Sequence, residues 1–389
     1  MTEVVFKALN RRNLTRRKFL GASATAAGAA FLPAGARAQS TRRRFEVSDP
    51  AMPANVLTSY KNAIAAMLAL PPTDPRNWYR NAFVHLLDCP HGNWWFLPWH
   101  RAYLVWFERI CRQLSGDQNF ALPYWDWTKN PQVPAAMFDG VLDPDDSHYI
   151  ASFDQFQNVF QAPIDQLYAS FSPAQQNALG QRGLSASADF WNTVQNPQGP
   201  MFFDQPNARG LTAANRGLDA ATQSTVAIGV VRSALDDFPF AGDTTGGGAP
   251  GFASGKVGQH SARGGKGILE SQPHDNVHGA MGGASGQAFM VSFLSPVDPI
   301  FFLHHANLDR LWDVWTRRQT ALNRAALPDG TDLTAWSNEQ FLFFSDETPL
   351  PVTKTNAGDY KSIGDFGYDF SPGSEEDQVP APSVAAAAP

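Results

Sequence analysis

The sequence predicts a mainly α-helical domain, and three stretches carry that prediction. Apolar residues recur at helical spacing in Val56, Tyr60, Ala63, Ile64 and Met67, in Leu104, Phe107, Cys111 and Leu114 behind His100, and in Phe301, Leu308, Leu311, Trp312 and Trp315. Such spacing puts the side chains on one helical face, which is then buried. The first helix covers Val56 to Leu70 and is stopped by Pro71-Pro72. A second pattern runs from Trp78 to Leu87. The next begins near Pro98, where a first-turn proline gives up no needed N–H bond, and reaches about Leu114. Between 130 and 240 short helical patterns are broken by Pro and Gly, without internal repeats. Gly242 to Gly267 reads as loop, because its glycines widen the backbone's choices and offer little to pack. A last long pattern starts at Asp298.

The 389 residues are enough for one large or two modest domains with a sizeable core. Thr15-Arg16-Arg17-Lys18-Phe19-Leu20 precedes an Ala/Gly-rich stretch ending in Ala36-Arg37-Ala38. A basic head, a weakly apolar middle and a small-x-small cleavage site make residues 1–38 a twin-arginine export signal, with Gln39 first after cleavage. Residues 19–36 are too weakly apolar for a membrane anchor. Removing the signal's seven Lys+Arg and one Asp+Glu leaves 23 basic against 35 acidic residues, a net charge near −12. That balance argues against nucleic acid or anionic membrane as the main partner and leaves small molecules. Two cysteines, Cys89 and Cys111, are too few for a disulfide framework, so the fold cannot rest on one. Residues 374–389 are acidic, then Ala/Pro-rich, and read as a disordered tail behind a single domain over 39–373.

Seven of the nine histidines fall into two groups: His85, His91 and His100, then His274, His278, His304 and His305. His274 and His278 are four apart, which places both imidazoles on one helical face within reach of one metal. Neither group brings the Glu of an H-E-x-x-H zinc protease, and no cysteine cluster offers thiolate for structural zinc. All-imidazole sites suit copper among other metals. His304 and His305 both lie in plausible apolar stripes, so spacing alone leaves the choice between them open. His148 and His260 read as exposed, without a role.

The run Cys89-Pro90-His91-Gly92-Asn93-Trp94-Trp95-Phe96-Leu97-Pro98-Trp99-His100-Arg101-Ala102-Tyr103-Leu104 resembles the copper A signature of the tyrosinase and polyphenol oxidase family, here as an exported bacterial member. Leu122-Pro123-Tyr124-Trp125-Asp126-Trp127 is similar to the family's next landmark. Pro273-His274-Asp275-Asn276-Val277-His278 and the stretch from Asp298 to Trp312 resemble copper B, and Gly367-Tyr368-Asp369-Phe370 resembles the closing tyrosine motif. The resemblance implies two copper ions. Copper A would take His85, His91 and His100, and copper B His274, His278 and His305, since the family pattern uses the second of the paired histidines. It also implies a central four-helix bundle projecting these ligands inward, with long loops and minor β structure. Phe96, Phe301 and Phe302 would wall the pocket or simply pack.

Smaller features carry further expectations. Cys89, two residues before His91, would form a thioether to that imidazole as in similar Cys-x-His relatives, or remain a small buried thiol. Glu270 stands where plant-like relatives hold a water near the coppers, against a plainer reading as a helix N-terminal carboxylate. Asp275 stands where efficient bacterial tyrosinases often carry Asn, and would act as a base or repel phenolate. Asp309 and Arg310 would orient ligands or form an ion pair. The implied activity uses O2 to ortho-hydroxylate monophenols and to oxidise o-diphenols to o-quinones, with catechol oxidase or o-aminophenol oxidase as the narrower alternative. An oxygen carrier of the haemocyanin kind would need an added domain for which this chain leaves no room, and a di-zinc or di-iron hydrolase lacks bridging carboxylates. The expected partners are small phenols and O2, with a copper chaperone for loading before or during export to the periplasm or exterior.

Overall fold

The structure, a computed structural model, describes residues 42–237, 266–343 and 354–379. The expected export signal, most of the glycine-rich loop with His260, and residues 380–389 of the expected tail lie outside the described residues.

The chain is mainly α. The described residues begin with β1 (Arg42–Arg44) and continue through α1 (Asn55–Ala69), α2 (Trp78–Asp88) and α3 (Phe96–Ser115). Then follow α4 (Phe153–Ser170), α5 (Pro173–Gln181), α6 (Ser187–Val194), α7 (Ala220–Thr225) and α8 (Ile228–Asp236). Then come α9 (Asp275–Ala280), α10 (Ile300–Ala321), α11 (Gly330–Asn338) and β2 (Tyr368–Phe370).

The sequence explains the ends of the long helices. Asn77 caps α2 by accepting the N–H groups of Tyr79 and Arg80. Helix α3 starts two residues before Pro98, which still falls in the first turn, where its missing N–H costs nothing. It ends at Gly116, whose φ of 76° is the left-handed conformation that glycine adopts most cheaply. Helix α10 follows Pro299 and extends six residues beyond Trp315, the end of its apolar pattern.

A central four-helix bundle forms from α2, α3, the Glu270–Ala280 segment and α10. Phe107 of α3 stacks on Phe302 of α10, and Tyr103 meets Phe301 and Phe302. Helix α1 lies against α3, and its Tyr60 hydroxyl donates to Pro299 O at 2.9 Å, tying the bundle's outer helix to the start of α10. Trp78 Nε1 donates to Val297 O at 3.1 Å and does the same for α2. These buried donors all find acceptors, as a dry interior requires.

The β structure is minor. β1 pairs in parallel with β2, Arg42 opposite Tyr368 and Arg44 opposite Phe370. The expectation of a disordered tail from residue 374 does not hold for 374–379. Ser374 N–H donates to Asp126 Oδ2 at 2.7 Å, and Ser374 O accepts from Arg310 Nη1 at 2.9 Å. Composition pointed to disorder because this segment has little apolar surface; main-chain bonds to buried charges hold it instead. No helix among the described residues is long and apolar enough to cross a membrane.

Candidate metal centre

Seven histidines converge inside the bundle. His85 comes from α2, His91 from the turn after it, His100 from α3, His274 and His278 from the Glu270–Ala280 segment, and His304 and His305 from α10. Ring centroids in the first group are 5.9 Å apart for His85 and His91, 5.6 Å for His85 and His100, and 5.7 Å for His91 and His100. In the second group they are 4.6 Å for His274 and His278, 5.2 Å for His274 and His305, and 5.5 Å for His278 and His305. The groups face each other: His91 lies 5.5 Å from His274, and His100 stacks on His305 at 4.2 Å.

The local helix at His274 differs from the expected single α-helical face. Glu270–His274 is one π-helical turn, continued by α9. Pro273 cannot donate to the carbonyl four residues back, and the Asp275 N–H reaches Glu270 O, which widens the turn. Both imidazoles still reach the same side.

Donor geometry fixes the tautomers. Nδ1 of His85 faces Phe293 O at 3.0 Å, Nδ1 of His100 faces Phe96 O at 2.7 Å, and Nδ1 of His278 faces Met290 O at 2.6 Å. Nδ1 of His274 faces Asp275 Oδ1 at 2.9 Å. An oxygen acceptor requires the proton on Nδ1 and leaves the lone pair on Nε2, the arrangement of a metal-binding imidazole. Nε2 of His100 and of His274 is buried and has no hydrogen-bond partner among the described residues. Burial also pushes the pKa of His100, His274 and His305 down, and that of His278 down to about 3, so these rings are neutral and keep their lone pairs. Candidate ligand atoms of His274, His278, His304 and His305 lie within 4.8 Å of one another, as do those of His85, Cys89 and His91. This donor set fits a pair of metal ions held by nitrogen.

His304 is set apart by its neighbour. Trp127 Nε1 donates to His304 Nδ1 at 3.2 Å. An indole nitrogen only donates, so His304 must carry its proton on Nε2. Cys89, buried, places Sγ 3.6 Å from His91 Nδ1. Phe96 and Phe301 lie against the imidazoles, at 4.7 Å from His100 and 4.2 Å from His305, whereas Phe302 packs into the bundle core.

Two carboxylates approach the centre. Glu270 Oε1 accepts the Gly92 N–H at 2.7 Å, while Oε2 is buried without a partner among the described residues. Burial pushes its pKa up to about 8. Asp275 is half open; burial works against its charge, but the His274 ring and Lys266 hold it below the usual carboxylate range. A pocket of about 680 Å³ reaches His85, His91, His274 and His278 and is walled by Met201, Phe203, Met290, Val291 and Phe293, with Lys266 and Asp275 at one side. Its apolar walls suit an aromatic ring. Asp309 and Arg310 lie outside this centre, Asp309 bonded to Arg44 and Arg101, Arg310 to Asn307 and Ser374. His148 is exposed and bonded to Asp146.

The family model for the common central domain of tyrosinase matches residues 59–318. The chain belongs to the tyrosinase family. Among curated tyrosinase relatives, it is 28% identical over 329 residues to a (+)-larreatricin hydroxylase of Larrea tridentata, covering 79% of this chain and 46% of that one. It is 29% identical over 289 residues to tyrosinase HcTyr1 of a Hahella species, covering 73% and 47%. The chain therefore spans about half the length of the curated relatives it matches. Among solved structures, a Grenache (Vitis vinifera) polyphenol oxidase superposes with a TM-score of 0.51 at 23% identity over 88% of both chains. A tyrosinase from Burkholderia thailandensis gives 0.51 at 17% identity over 86% of this chain and 76% of that one. These likenesses carry the fold.

The structure brings together the seven histidines singled out by the sequence, but their supports were not among the expected residues. The carbonyls of Phe293 and Met290, the Trp127 indole and Lys266 carry no signal of their own, because what selects them is proximity across the fold.

Proposed function

We propose that the chain is a tyrosinase-type polyphenol oxidase with copper A held by His85, His91 and His100 and copper B by His274, His278 and His305. The observation that carries this reading is the pair of facing histidine clusters, in which His85, His100, His274 and His278 each turn Nδ1 to an oxygen acceptor and so keep a lone pair on Nε2. Two copper ions held there would supply the redox chemistry by which O2 ortho-hydroxylates monophenols and oxidises o-diphenols to o-quinones.

The chain's own part is binding, orientation and proton handling. The ring of a phenol packs between Met201, Phe203, Met290 and Val291, and its hydroxyl points to the histidines at the pocket floor. Glu270 Oε2 is the atom to hold a water and pass on the phenolic proton. Burial makes this carboxylate a stronger base than an exposed glutamate. Asp275 lies beside the same approach and is the second carboxylate of the site. The Cys89 thiol beside His91 supports a thioether that fixes that ring, and the twin-arginine segment supports export of the folded domain over 39–373, with copper delivered by a chaperone.

The narrower reading, a catechol or o-aminophenol oxidase, rests on Asp275, which stands where the family resemblance leads one to expect an amide. Copper-loaded protein should contain two copper ions per chain, consume O2 with an o-diphenol at once, and do so with a monophenol after a lag. Activity with the o-diphenol alone selects the narrower oxidase. Quinone from neither substrate, or full activity with zinc, overturns the assignment.

A further inference from the structure

Lys266 belongs to none of the motifs that mark the site, yet it lies in the pocket wall with its side chain only 24% exposed. Its ammonium donates to Asp275 Oδ2 at 2.7 Å, and Glu270 Oε1 lies 4.0 Å away. The other oxygen of Asp275, Oδ1, faces His274 Nδ1 at 2.9 Å. The carboxylate is thus held between an ammonium and an imidazole.

Its position poses a mechanical problem. His85, His100 and His278 give Nδ1 to main-chain carbonyls, which cannot turn away. His274 depends instead on a side chain that is 37% exposed and free to rotate about its two torsions toward water in the pocket. A charged donor on Oδ2 removes that freedom, because swinging Oδ1 off the ring would also break a charge-assisted bond. The same ammonium neutralises a carboxylate that would otherwise repel an incoming phenolate.

Resting on the copper reading above, we propose that Lys266 is a positioning residue: it clamps Asp275 by Oδ2 so that Oδ1 stays on His274 Nδ1. His274 is thereby fixed with its lone pair on Nε2, and Glu270 is left as the carboxylate open to a bound phenol. Asp275 serves the imidazole, not the substrate. Because a carboxylate acceptor makes an imidazole a stronger ligand than a carbonyl does, the second histidine group depends on this clamp more than the first.

The test compares Lys266→Met, Lys266→Arg, Asp275→Ala and the double variant Lys266→Met/Asp275→Ala. In the metal-free protein, the nitrogen and Nδ1-proton resonances of His274 report the bond directly. Lys266→Met should move them toward those of Asp275→Ala, and Lys266→Arg should leave them near the native positions. In copper titrations against a competing chelator, Lys266→Met should weaken binding at the second histidine group about tenfold, and Asp275→Ala at least as much. The double variant should bind no more weakly than Asp275→Ala alone, since the lysine acts through the aspartate. Losses that add, or His274 resonances unmoved by Lys266→Met, overturn the proposal. A native protein that takes up no copper sinks the copper reading, while the His274 resonances still decide the role of Lys266.

Discussion

A histidine becomes a ligand or a bystander according to what its Nδ1 meets. His304 and His305 are consecutive on one helix, equally buried, and both within reach of His274 and His278. The Trp127 N–H at His304 Nδ1 forces the proton of His304 onto Nε2, which therefore has no lone pair to give a metal. His305 has no such constraint, and its Nε2 lies 3.3 Å from that of His278. His305→Ala should reduce the copper content, measured by atomic emission, from two ions per chain to one. His304→Ala should keep both ions and lower stability by about 1–3 kcal/mol through the cavity and the unpaired indole. The reverse pattern would reassign the sixth ligand. The other five histidines are legible from local spacing and motif, whereas spacing alone leaves this pair undecided. What separates the two in the structure is an indole 177 residues from His304 in sequence.

Helix α10 must also be held in rotation if His305 is to point inward, and the two strands do this from outside the bundle. Arg44 of β1 donates from Nε to Glu108 Oε1 of α3 at 2.7 Å and from Nη1 to Asp309 Oδ2 of α10 at 2.8 Å. Arg101 Nε takes Asp309 Oδ1 at 2.6 Å, and the Tyr368 hydroxyl of β2 donates to Oδ2 at 2.6 Å. The Tyr368 ring lies 3.8 Å from the Arg44 guanidinium. Asp309 is one turn from His305, so this network sets the face that α10 presents. Arg44→Met should cost about 3–5 kcal/mol in denaturant unfolding, because two buried carboxylates each lose a partner. Arg44→Lys, which keeps the charge but not the two-armed geometry, should fall between. A loss under about 1 kcal/mol for Arg44→Met would show that the strand is not needed. Helices α1, α2, α3 and α10 were legible because each carries its own apolar stripe, whereas α4 to α8 were not, because Pro and Gly interrupt their patterns and Pro163 lies inside α4 itself. For Asp309 an ion pair was legible as one alternative, but its partners Arg44 and Arg101 were not, because they lie up to 265 residues away. Nor was the π-helical turn at Pro273, whose spacing looks like that of an ordinary helix.

At the scale of the whole molecule, the segment after β2, bonded to Arg310 and Asp126 through Ser374, should make stability depend on pH. Glu375 is 3% exposed, adopts the left-handed conformation with φ of 68°, and has neither carboxylate oxygen bonded among the described residues. Burial, and then repulsion from Asp126, push its pKa up to about 7, while Arg310 and Arg232 act in the opposite direction. The raised value means that the folded state holds this proton more tightly than the unfolded state, whose carboxyl titrates near the ordinary 4.5. Below that ordinary value both states are protonated, and the contribution of Glu375 to stability is fully present. As pH rises toward 7 the unfolded state ionises first, so the contribution is lost progressively, and above about 7 no further loss follows. Glu375→Gln carries no charge at any of these values and keeps the same length. It should therefore match the native protein in unfolding free energy near pH 4.5 and exceed it near pH 8, by about 2 kcal/mol once contact with water is allowed for. Urea titrations of both proteins across this range measure the difference directly. Parallel curves would mean that Glu375 finds a partner when ionised, whereas curves that separate between pH 5 and 7 would place the proton on this carboxyl and make the closing segment the pH-sensitive part of the fold.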